Sequence, residues 1–126
     1  QGKCIAWIRN SVDAAIKVYR QLLARGVIPA SSLSLFHSRF AFSDRQRIET
    51  ETLARFGKED SSQRAGKVLI CTQVLESSVD CDMDEMISDL APVDLLIQRA
   101  GRLQRHIRDI NGQLKRDGKD ERSPPE

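Results

Sequence analysis

A short strand followed directly by a helix is predicted for residues 4–26, whose sequence is CIAWIRNSVDAAIKVYRQLLARG. The continuous apolar run at residues 4–8 is typical of a strand that is covered on both faces. Ser11 is a suitable N-cap for the helix, and Gly26 is a natural stop because glycine tolerates the left-handed conformation at a helix end. These residues therefore predict one strand-helix unit of a parallel sheet.

Similar strand-helix units follow along the chain. Further apolar runs predict strands at residues 33–36, 68–71 and 86–90. The second helix is expected to begin at a capping box formed by Ser43 and Gln46 and to end at Gly57. The last helix is expected to cover residues 93 to about 107. The alternation of strands and helices predicts an α/β fold in three layers, with a parallel sheet flanked by helices.

The composition restricts the fold to one domain and excludes several kinds of protein. A chain of 126 residues with 40% hydrophobic residues can bury a core without disulfides or metal. A formal net charge of +2 is too small for a protein that binds by bulk charge alone. An aromatic content of 5% argues against a binder built from rows of stacking rings. Any anion site must therefore be local.

The cysteines and the apolar runs indicate neither a metal site nor a membrane span. Cys4, Cys71 and Cys81 lack C-x-x-C spacing, and the chain has only two histidines. Free buried thiols are therefore expected, and no metal site is. No stretch of ~18 apolar residues and no signal-type start is present. The sequence thus predicts a cytoplasmic protein that makes no membrane contact.

Residues 1–108 are expected to form the folded domain, and residues 109–126 a polar, disordered tail or linker. The last segment contains almost no apolar residue that could be buried, which favours disorder. The chain opens with Gln1-Gly2-Lys3 directly before the first strand and has no initiator Met. We therefore expect it to be a fragment of a larger protein.

Polar side chains follow the second and third predicted strands at the point where each strand ends. His37 and Ser38 come after the second strand, and Thr72 and Gln73 come after the third, with Asp80 further on. In open parallel sheets, ligands bind outside the carboxyl ends of the strands. These residues are therefore candidates for a binding site. The structural alternatives are a turn cap for Thr72 and a packed ring for His37.

The last predicted helix carries a concentrated group of cationic residues. At 100° per residue, an arc of about 120° contains Gln98, Arg99, Arg102, Arg105 and His106. The opposite side is apolar and holds Val93, Leu96, Ile97, Ala100, Leu103 and Ile107. Forked guanidinium groups suit phosphate oxygens, so this face predicts an anionic partner. The alternative is a charged face that only keeps the helix soluble.

The order of residues in three segments resembles the motifs of a known enzyme superfamily. QRAGRLQR at residues 98–105 resembles the sixth motif of superfamily 2 helicases, residues 72–82 resemble the fifth, and LFHSRF at residues 35–40 resembles the fourth. More narrowly, their wording resembles the CRISPR-associated helicase-nuclease of type I systems. The likeness covers nearly all of residues 3–106.

This resemblance implies the second RecA-like lobe of an ATP-driven motor that moves along single-stranded DNA. The first lobe of such motors carries the phosphate-binding loop GxxxxGK[ST] and an acidic metal-holding motif, and this chain contains neither. ATP with Mg would be bound mainly by the first lobe. The fragment alone is therefore expected to be inactive.

The resemblance also implies roles for the candidate residues. Arg102 and Arg105 would be arginine fingers that reach the γ-phosphate across the cleft. Gln98 would position the nucleotide or the attacking water. Asp80 would engage the ribose or orient a finger arginine. The implied contacts to the DNA backbone are His37, Ser38, Thr72 and Gln73.

Four other residues carry structural expectations. Arg99 is expected to be a structural or coupling residue, and Glu76 to pair with an arginine of the last helix. Asp82 is expected to be a solvated loop carboxylate. Ser78 stands where other members of the superfamily have Gly, and it could cap the turn after the third strand.

The partners implied by the resemblance lie outside this fragment. They are single-stranded DNA, the first RecA-like lobe and a metal-dependent nuclease domain of the same chain, and an RNA-guided surveillance complex. Two alternatives stay open. One is a lobe of another superfamily 2 DNA or RNA helicase, and the other is a non-enzymatic α/β module for nucleic-acid binding or signalling.

Overall fold

A parallel sheet of four strands lies at the centre of the computed structural model, which describes residues 2–59, 63–77 and 80–125. The strands are β1 (Ile5–Ile8), β2 (Leu33–Phe36), β3 (Val68–Cys71) and β4 (Glu85–Ser88), and they lie in the order β2-β3-β1-β4. The helices are α1 (Val12–Arg25), α2 (Phe42–Phe56), α3 (Val74–Ser77) and α4 (Val93–Ala100). The predicted α/β fold with a parallel sheet is confirmed.

The first strand-helix unit forms as its sequence predicts. The Ser11 side chain accepts a hydrogen bond from the Ala14 amide at 3.2 Å, which caps α1. The helix stops at Gly26, whose φ of 62° lies in the left-handed region that favours glycine. A short 3-10 turn at Ala30–Ser32 then leads into β2.

Alternate residues of the strands point into two apolar layers, one on each face of the sheet. Ala6 and Ile8 of β1 belong to the layer that also contains Phe56 of α2. The neighbouring β1 residues, Ile5 and Trp7, pack on the other layer, which is closed by α1. Burying one large apolar side chain contributes about 1.5–3 kcal/mol, so these two layers hold the three-layer fold together.

One end of each of two helices, α2 and α4, differs from its prediction. The capping box of Ser43 and Gln46 is wrong, because α2 already begins at Phe42 and has no side-chain cap. The last helix does not reach residue 107 but ends at Ala100. After it, the backbone pairs with Met83, which donates to the Arg102 carbonyl at 2.9 Å and accepts from the Gln104 amide at 2.8 Å. This pairing replaces the helical hydrogen bonds.

The orientation of α4 also differs from the expected one. Arg99 is only 3% exposed, whereas Val93 and Ile97 are 72% and 66% exposed. The face predicted to be apolar and buried is therefore partly on the surface, and one predicted cationic residue is inside. Beyond α4, residues 109–125 fold back so that the Arg122 side chain contacts Asp82. The disorder predicted for residues 109–126 stays a prediction.

The predicted state of the thiols is confirmed, since Cys4, Cys71 and Cys81 are free and fully buried. Burial raises the pKa of the Cys4 and Cys81 thiols to about 12, and it raises the pKa of the Cys71 thiol as well. The thiols are therefore protonated packing groups. None of the described helices is both long and apolar enough to cross a membrane.

Candidate functional site

The carboxyl ends of the four described strands meet at one edge of the sheet. Ile8 of β1 lies opposite both Cys71 of β3 and Ser88 of β4. Backbone hydrogen bonds tie the ends together: the Arg9 amide donates to the Cys71 carbonyl at 2.8 Å, and the Asp89 amide donates to the Ile8 carbonyl at 3.0 Å. The residues that follow the strands therefore start from fixed positions.

His37, directly after β2, is a packed residue. Its ring is stacked on Phe40 with a centroid distance of 4.1 Å, and its Nδ1 accepts from the Arg39 amide at 3.2 Å. Burial and the nearby Arg39 lower the pKa of the imidazole. The ring is therefore neutral at physiological pH. The next residue, Ser38, is exposed at the edge of the sheet.

Thr72 and Gln73 follow β3 at the same edge. Thr72 is fully buried, its amide donates to the Phe36 carbonyl at 3.3 Å, and its carbonyl accepts from the Leu75 amide at 3.3 Å. The Thr72 hydroxyl has no hydrogen-bond partner among the described residues. Leaving a buried hydroxyl without a partner costs about 1–3 kcal/mol, and a ligand contacts this group only after the residues that cover it have moved. Gln73 is exposed beside it.

Arg99 is a buried cross-link between several elements at this edge. Its Nε donates to Glu76 Oε1 at 2.7 Å, which confirms the predicted pairing of Glu76 with an arginine. Its Nη1 donates to Ser88 Oγ at 2.8 Å and to the Asp89 carbonyl at 3.1 Å. Its Nη2 donates to Asn10 Oδ1 at 3.2 Å. One guanidinium thus joins α4 to α3 and to the ends of β1 and β4.

Arg102 has a partner in α3, and Arg105 has one in the segment that follows it. Arg102 Nη2 donates to the Glu76 carbonyl at 2.8 Å, and Arg105 Nε lies 3.1 Å from Asp80 Oδ1. The Arg105 and Asp80 side chains are 41% and 50% exposed, so their attraction is screened by water. His106 Nε2 lies 3.4 Å from the same Asp80 oxygen without forming a hydrogen bond.

The predicted site residues fall into two groups, one on α4 and next to its end and the other after β2 and β3. Arg102, Arg105 and Asp80 lie together, whereas Gln98 is exposed on α4. The predicted DNA contacts, His37, Ser38, Thr72 and Gln73, all follow the ends of β2 and β3. Ser78, with its expected turn cap, lies outside the described residues.

Asp82 is the residue whose environment was predicted wrongly. It is not a solvated loop carboxylate but fully buried, and its Oδ2 accepts from Arg108 Nε at 2.5 Å. The sequence contains no signal for this, because Asp80, Asp82 and Asp84 alternate with the apolar residues Cys81 and Met83, a pattern that predicts the carboxylates on the solvent side. Such alternation is typical of an extended segment with one face inside.

No group of three or more His, Cys, Asp or Glu side chains within the described ranges is arranged to hold a metal ion. The clustered carboxylates of Asp82 and Asp84 are occupied by arginines. What the edge offers a ligand is guanidinium, hydroxyl and amide groups, and these suit phosphate oxygens.

Residues 1–108 match the family model described as CRISPR-associated nuclease/helicase Cas3, C-terminal. The chain is 47% identical over 105 residues to the CRISPR-associated nuclease/helicase Cas3 of Streptococcus thermophilus, which is 83% of this chain and 11% of that protein. It is 39% identical over 107 residues to the CRISPR-associated endonuclease/helicase Cas3 of Escherichia coli strain K12, with coverages of 85% and 12%. The chain thus spans little more than a tenth of these relatives.

Solved structures show the same architecture. The chain superimposes on T. fusca Cas3-AMPPNP with a TM-score of 0.76 and 46% identity, covering 84% of this chain and 12% of that one. A chain of a CRISPR RNA-guided surveillance complex, pre-nicking, gives a TM-score of 0.72 and 39% identity, covering 97% and 14%. S. cerevisiae Dbp5 bound to RNA and ADP BeF3 is 20% identical with a TM-score of 0.63, covering 98% and 27%, and is alike in fold alone. The expected RecA-like fold is confirmed.

Proposed function

Because the chain belongs to the family of the C-terminal region of the CRISPR-associated nuclease/helicase Cas3, we propose that it is the second motor lobe of an ATP-dependent translocase or helicase. The full protein moves along single-stranded DNA, carries an associated nuclease and acts in CRISPR interference against foreign DNA. This chain supplies arginine fingers and contacts to the DNA backbone.

The observation that carries this proposal is that the described residues 72–77 and Asp80 lie next to the carboxyl edge of the sheet and contact the two arginines. Thr72 and Gln73 follow β3 at this edge. Further along, the Glu76 carbonyl accepts from Arg102, and Asp80 pairs with Arg105. A shift of these residues on DNA binding therefore changes the partners of both arginines. Coupling of this kind is what a nucleic-acid motor requires.

The two arginines are held loosely enough to change partners. A surface ion pair contributes about 0–1 kcal/mol, and the Arg105–Asp80 pair is of this exposed kind. Transfer of Arg105 to a phosphate oxygen therefore costs little. Bound in the cleft, ATP with Mg supplies the phosphoryl group whose developing charge the guanidiniums stabilise. Asp80 then contacts the ribose or orients the finger, and the exposed Gln98 positions the nucleotide or the attacking water.

The DNA side of the proposal depends on groups that can face a phosphate. Ser38 and Gln73 are exposed at neighbouring strand ends, whereas the Thr72 hydroxyl, which has no partner among the described groups, is buried and contacts a phosphate only if this edge opens. His37 acts mainly by fixing this loop, because its ring is stacked on Phe40. Phosphate contacts of this type hold a strand without reading its sequence.

The remaining parts of the motor belong to the longer protein. The first RecA-like lobe binds most of ATP with Mg, and the nuclease domain holds its own metal ions. A likeness to a chain of an RNA-guided surveillance complex supports recruitment by such a complex. Membership of the Cas3 family sets aside a lobe from a different superfamily 2 helicase.

The proposal is tested by DNA-stimulated ATP hydrolysis of the full-length protein. Arg102→Ala and Arg105→Ala are compared with Arg20→Ala, which removes an exposed arginine from α1. An arginine finger supplies roughly 10³–10⁵ in rate, so each finger variant is expected to lose at least about 10³-fold in kcat while the control keeps the parent rate. Parental turnover in both variants refutes the finger role. Tight DNA binding with no ATP dependence indicates a non-enzymatic binder, and stimulation by RNA alone contradicts the DNA substrate.

A further inference from the structure

Asp80, Asp82 and Asp84 form a ladder of carboxylates along one extended segment, residues 80–84. The intervening Cys81 and Met83 are fully buried in the apolar layer that contains Phe56. Exposure falls along the ladder: the side chain of Asp80 is 50% exposed, that of Asp84 is 15% exposed, and that of Asp82 is not exposed. The carboxylate of Asp80 is therefore exposed to solvent, whereas those of Asp82 and Asp84 are enclosed by the protein.

Arg108 makes the most enclosed of these contacts. Its side chain is fully buried, and its Nε donates to Asp82 Oδ2. Its Nη2 donates to the carbonyls of Gly57 and Lys58 at 3.1 Å, and its Nη1 donates to the Gly112 carbonyl at 2.9 Å. Arg108 thus connects the ladder to the end of α2 and to the segment after α4.

Two further arginines complete a balanced network around Asp82 and Asp84. Arg122 Nη1 lies 3.2 Å from Asp82 Oδ1 and 2.9 Å from Asp84 Oδ1, and its Nη2 donates to the His106 carbonyl at 2.6 Å. Arg64 Nη2 donates to Asp84 Oδ1 at 2.8 Å. Arg64, Arg108 and Asp82 are buried, and the network also includes the partly buried Arg122, Asp84 and Asp120. Positive and negative charges are equal in number, so no residual charge destabilises the network.

Residues 102–108 are consequently fastened at both ends. At one end, the Arg102 carbonyl and the Gln104 amide pair with Met83. At the other end, Arg108 is bound to Asp82. Arg105 lies between these two attachments, and its side chain is 41% exposed. A mobile guanidinium on a doubly attached backbone has a defined reach, which is what catalysis by an arginine finger needs.

We propose that Arg108, acting through Asp82, is a positioning residue for the arginine finger Arg105. The inference rests on the proposed function, because it takes Arg105 to be an arginine finger. Arg108 itself makes no contact with the nucleotide in this proposal. Its task is to hold the backbone of residues 105–108 so that the Arg105 guanidinium reaches the transferring phosphoryl group. A displacement of about 1 Å can cost on the order of 10²-fold in rate.

The test uses the full-length protein and a charge-balanced pair of substitutions, since Arg108→Ala alone leaves Asp82 buried with one partner fewer. Arg108→Met combined with Asp82→Asn removes one charge of each sign and leaves Arg64 and Arg122 against Asp84 and Asp120. Arg108→Lys keeps the positive charge but replaces the forked guanidinium, with its several N–H donors, by a single ammonium group. Arg116→Met, an exposed arginine of the same segment, is the matched control.

We expect the charge-balanced pair to lower kcat for DNA-stimulated ATP hydrolysis about 10- to 100-fold and to leave the KM for ATP within about threefold, as misplacement of a finger requires. Arg108→Lys is expected to give a smaller loss. In an Arg105→Ala background, the pair is expected to have no further effect on kcat. A merely structural role instead lowers kcat by the same factor in both backgrounds.

Two results overturn the positioning role. One is a kcat within twofold of the parent for the charge-balanced pair when Arg105→Ala alone lowers kcat by about 10³-fold. The other is a full, multiplicative loss in the Arg105→Ala background. If Arg105→Ala itself leaves kcat unchanged, the proposed function has failed, and the positioning role fails with it.

Discussion

Replacing Arg99 by methionine is expected to loosen the carboxyl edge of the sheet without unfolding the domain. Arg99 is 3% exposed and its partner Glu76 is a side chain that is 7% exposed, so the substitution leaves a nearly buried carboxylate unpaired. Breaking a buried pair in this way costs about 3–5 kcal/mol. A domain of 126 residues has a free energy of unfolding of roughly 6–19 kcal/mol, which exceeds this cost throughout that range.

Hydrogen-exchange mass spectrometry of the full-length protein measures this local effect. A loss of about 3–5 kcal/mol corresponds to a fall of roughly 10²- to 4 × 10³-fold in amide protection for peptides that cover β4, α3 and α4. Adding Glu76→Leu to Arg99→Met removes the stranded charge and is expected to restore most of the protection. Arg20→Met on α1 serves as the control. Protection within threefold of the parent in Arg99→Met alone refutes the cross-linking role.

Two further predictions follow from the titration of buried groups. Burial and Arg39 lower the pKa of His37, so the unfolded state binds more protons, and the stability contributed by the neutral ring is lost as the pH falls below about 6.5. An NMR titration of ring-labelled full-length protein, assigned with His37→Gln, is expected to show a midpoint below 6.5, and a higher midpoint contradicts the packed environment. Burial raises the pKa of Cys4 and Cys81 to about 12, so both thiols are expected to resist iodoacetamide in the native protein and to react after denaturation. Native labelling of Cys81, followed by peptide mass spectrometry, is the outcome that disagrees.

The parts of the fold that follow from local chemistry were predictable from the sequence. Ser11 and Gly26 end α1 where their conformational preferences place them, and the apolar runs become strands of the central sheet. The end of α4 was not predictable in this way. It is set by Met83, which lies about twenty residues earlier in the chain and pairs with the backbone of Arg102 and Gln104. Helical periodicity alone does not indicate a backbone hydrogen-bond partner that lies elsewhere in the sequence.

The location of the candidate site was predicted from the sequence, but which of its arginines are buried was not. Sequence position indicates that polar residues after β2 and β3 share one edge, because parallel strands end together. Periodicity placed Arg99 among the outward cationic residues, yet Glu76, Ser88 and Asn10 provide enough acceptors to bury it. A pattern records which residues share a face, whereas burial of a charge depends on acceptors supplied by distant elements.

The four arginines of residues 99–108 have the same chemistry but differ in how firmly their guanidinium groups are bound. They are Arg99, Arg102, Arg105 and Arg108. Arg99 and Arg108 are buried and bound to buried carboxylates, so they hold the geometry and resist exchange. Arg102 and Arg105 lie between them in sequence and bind a carbonyl and an exposed carboxylate, and Arg105 can exchange its partner at little cost. Fixed attachments on either side of movable guanidiniums restrict motion to the side chains. In the proposed motor lobe, Arg102 and Arg105 are therefore expected to leave the Glu76 carbonyl and Asp80 while the sheet beneath them stays in place.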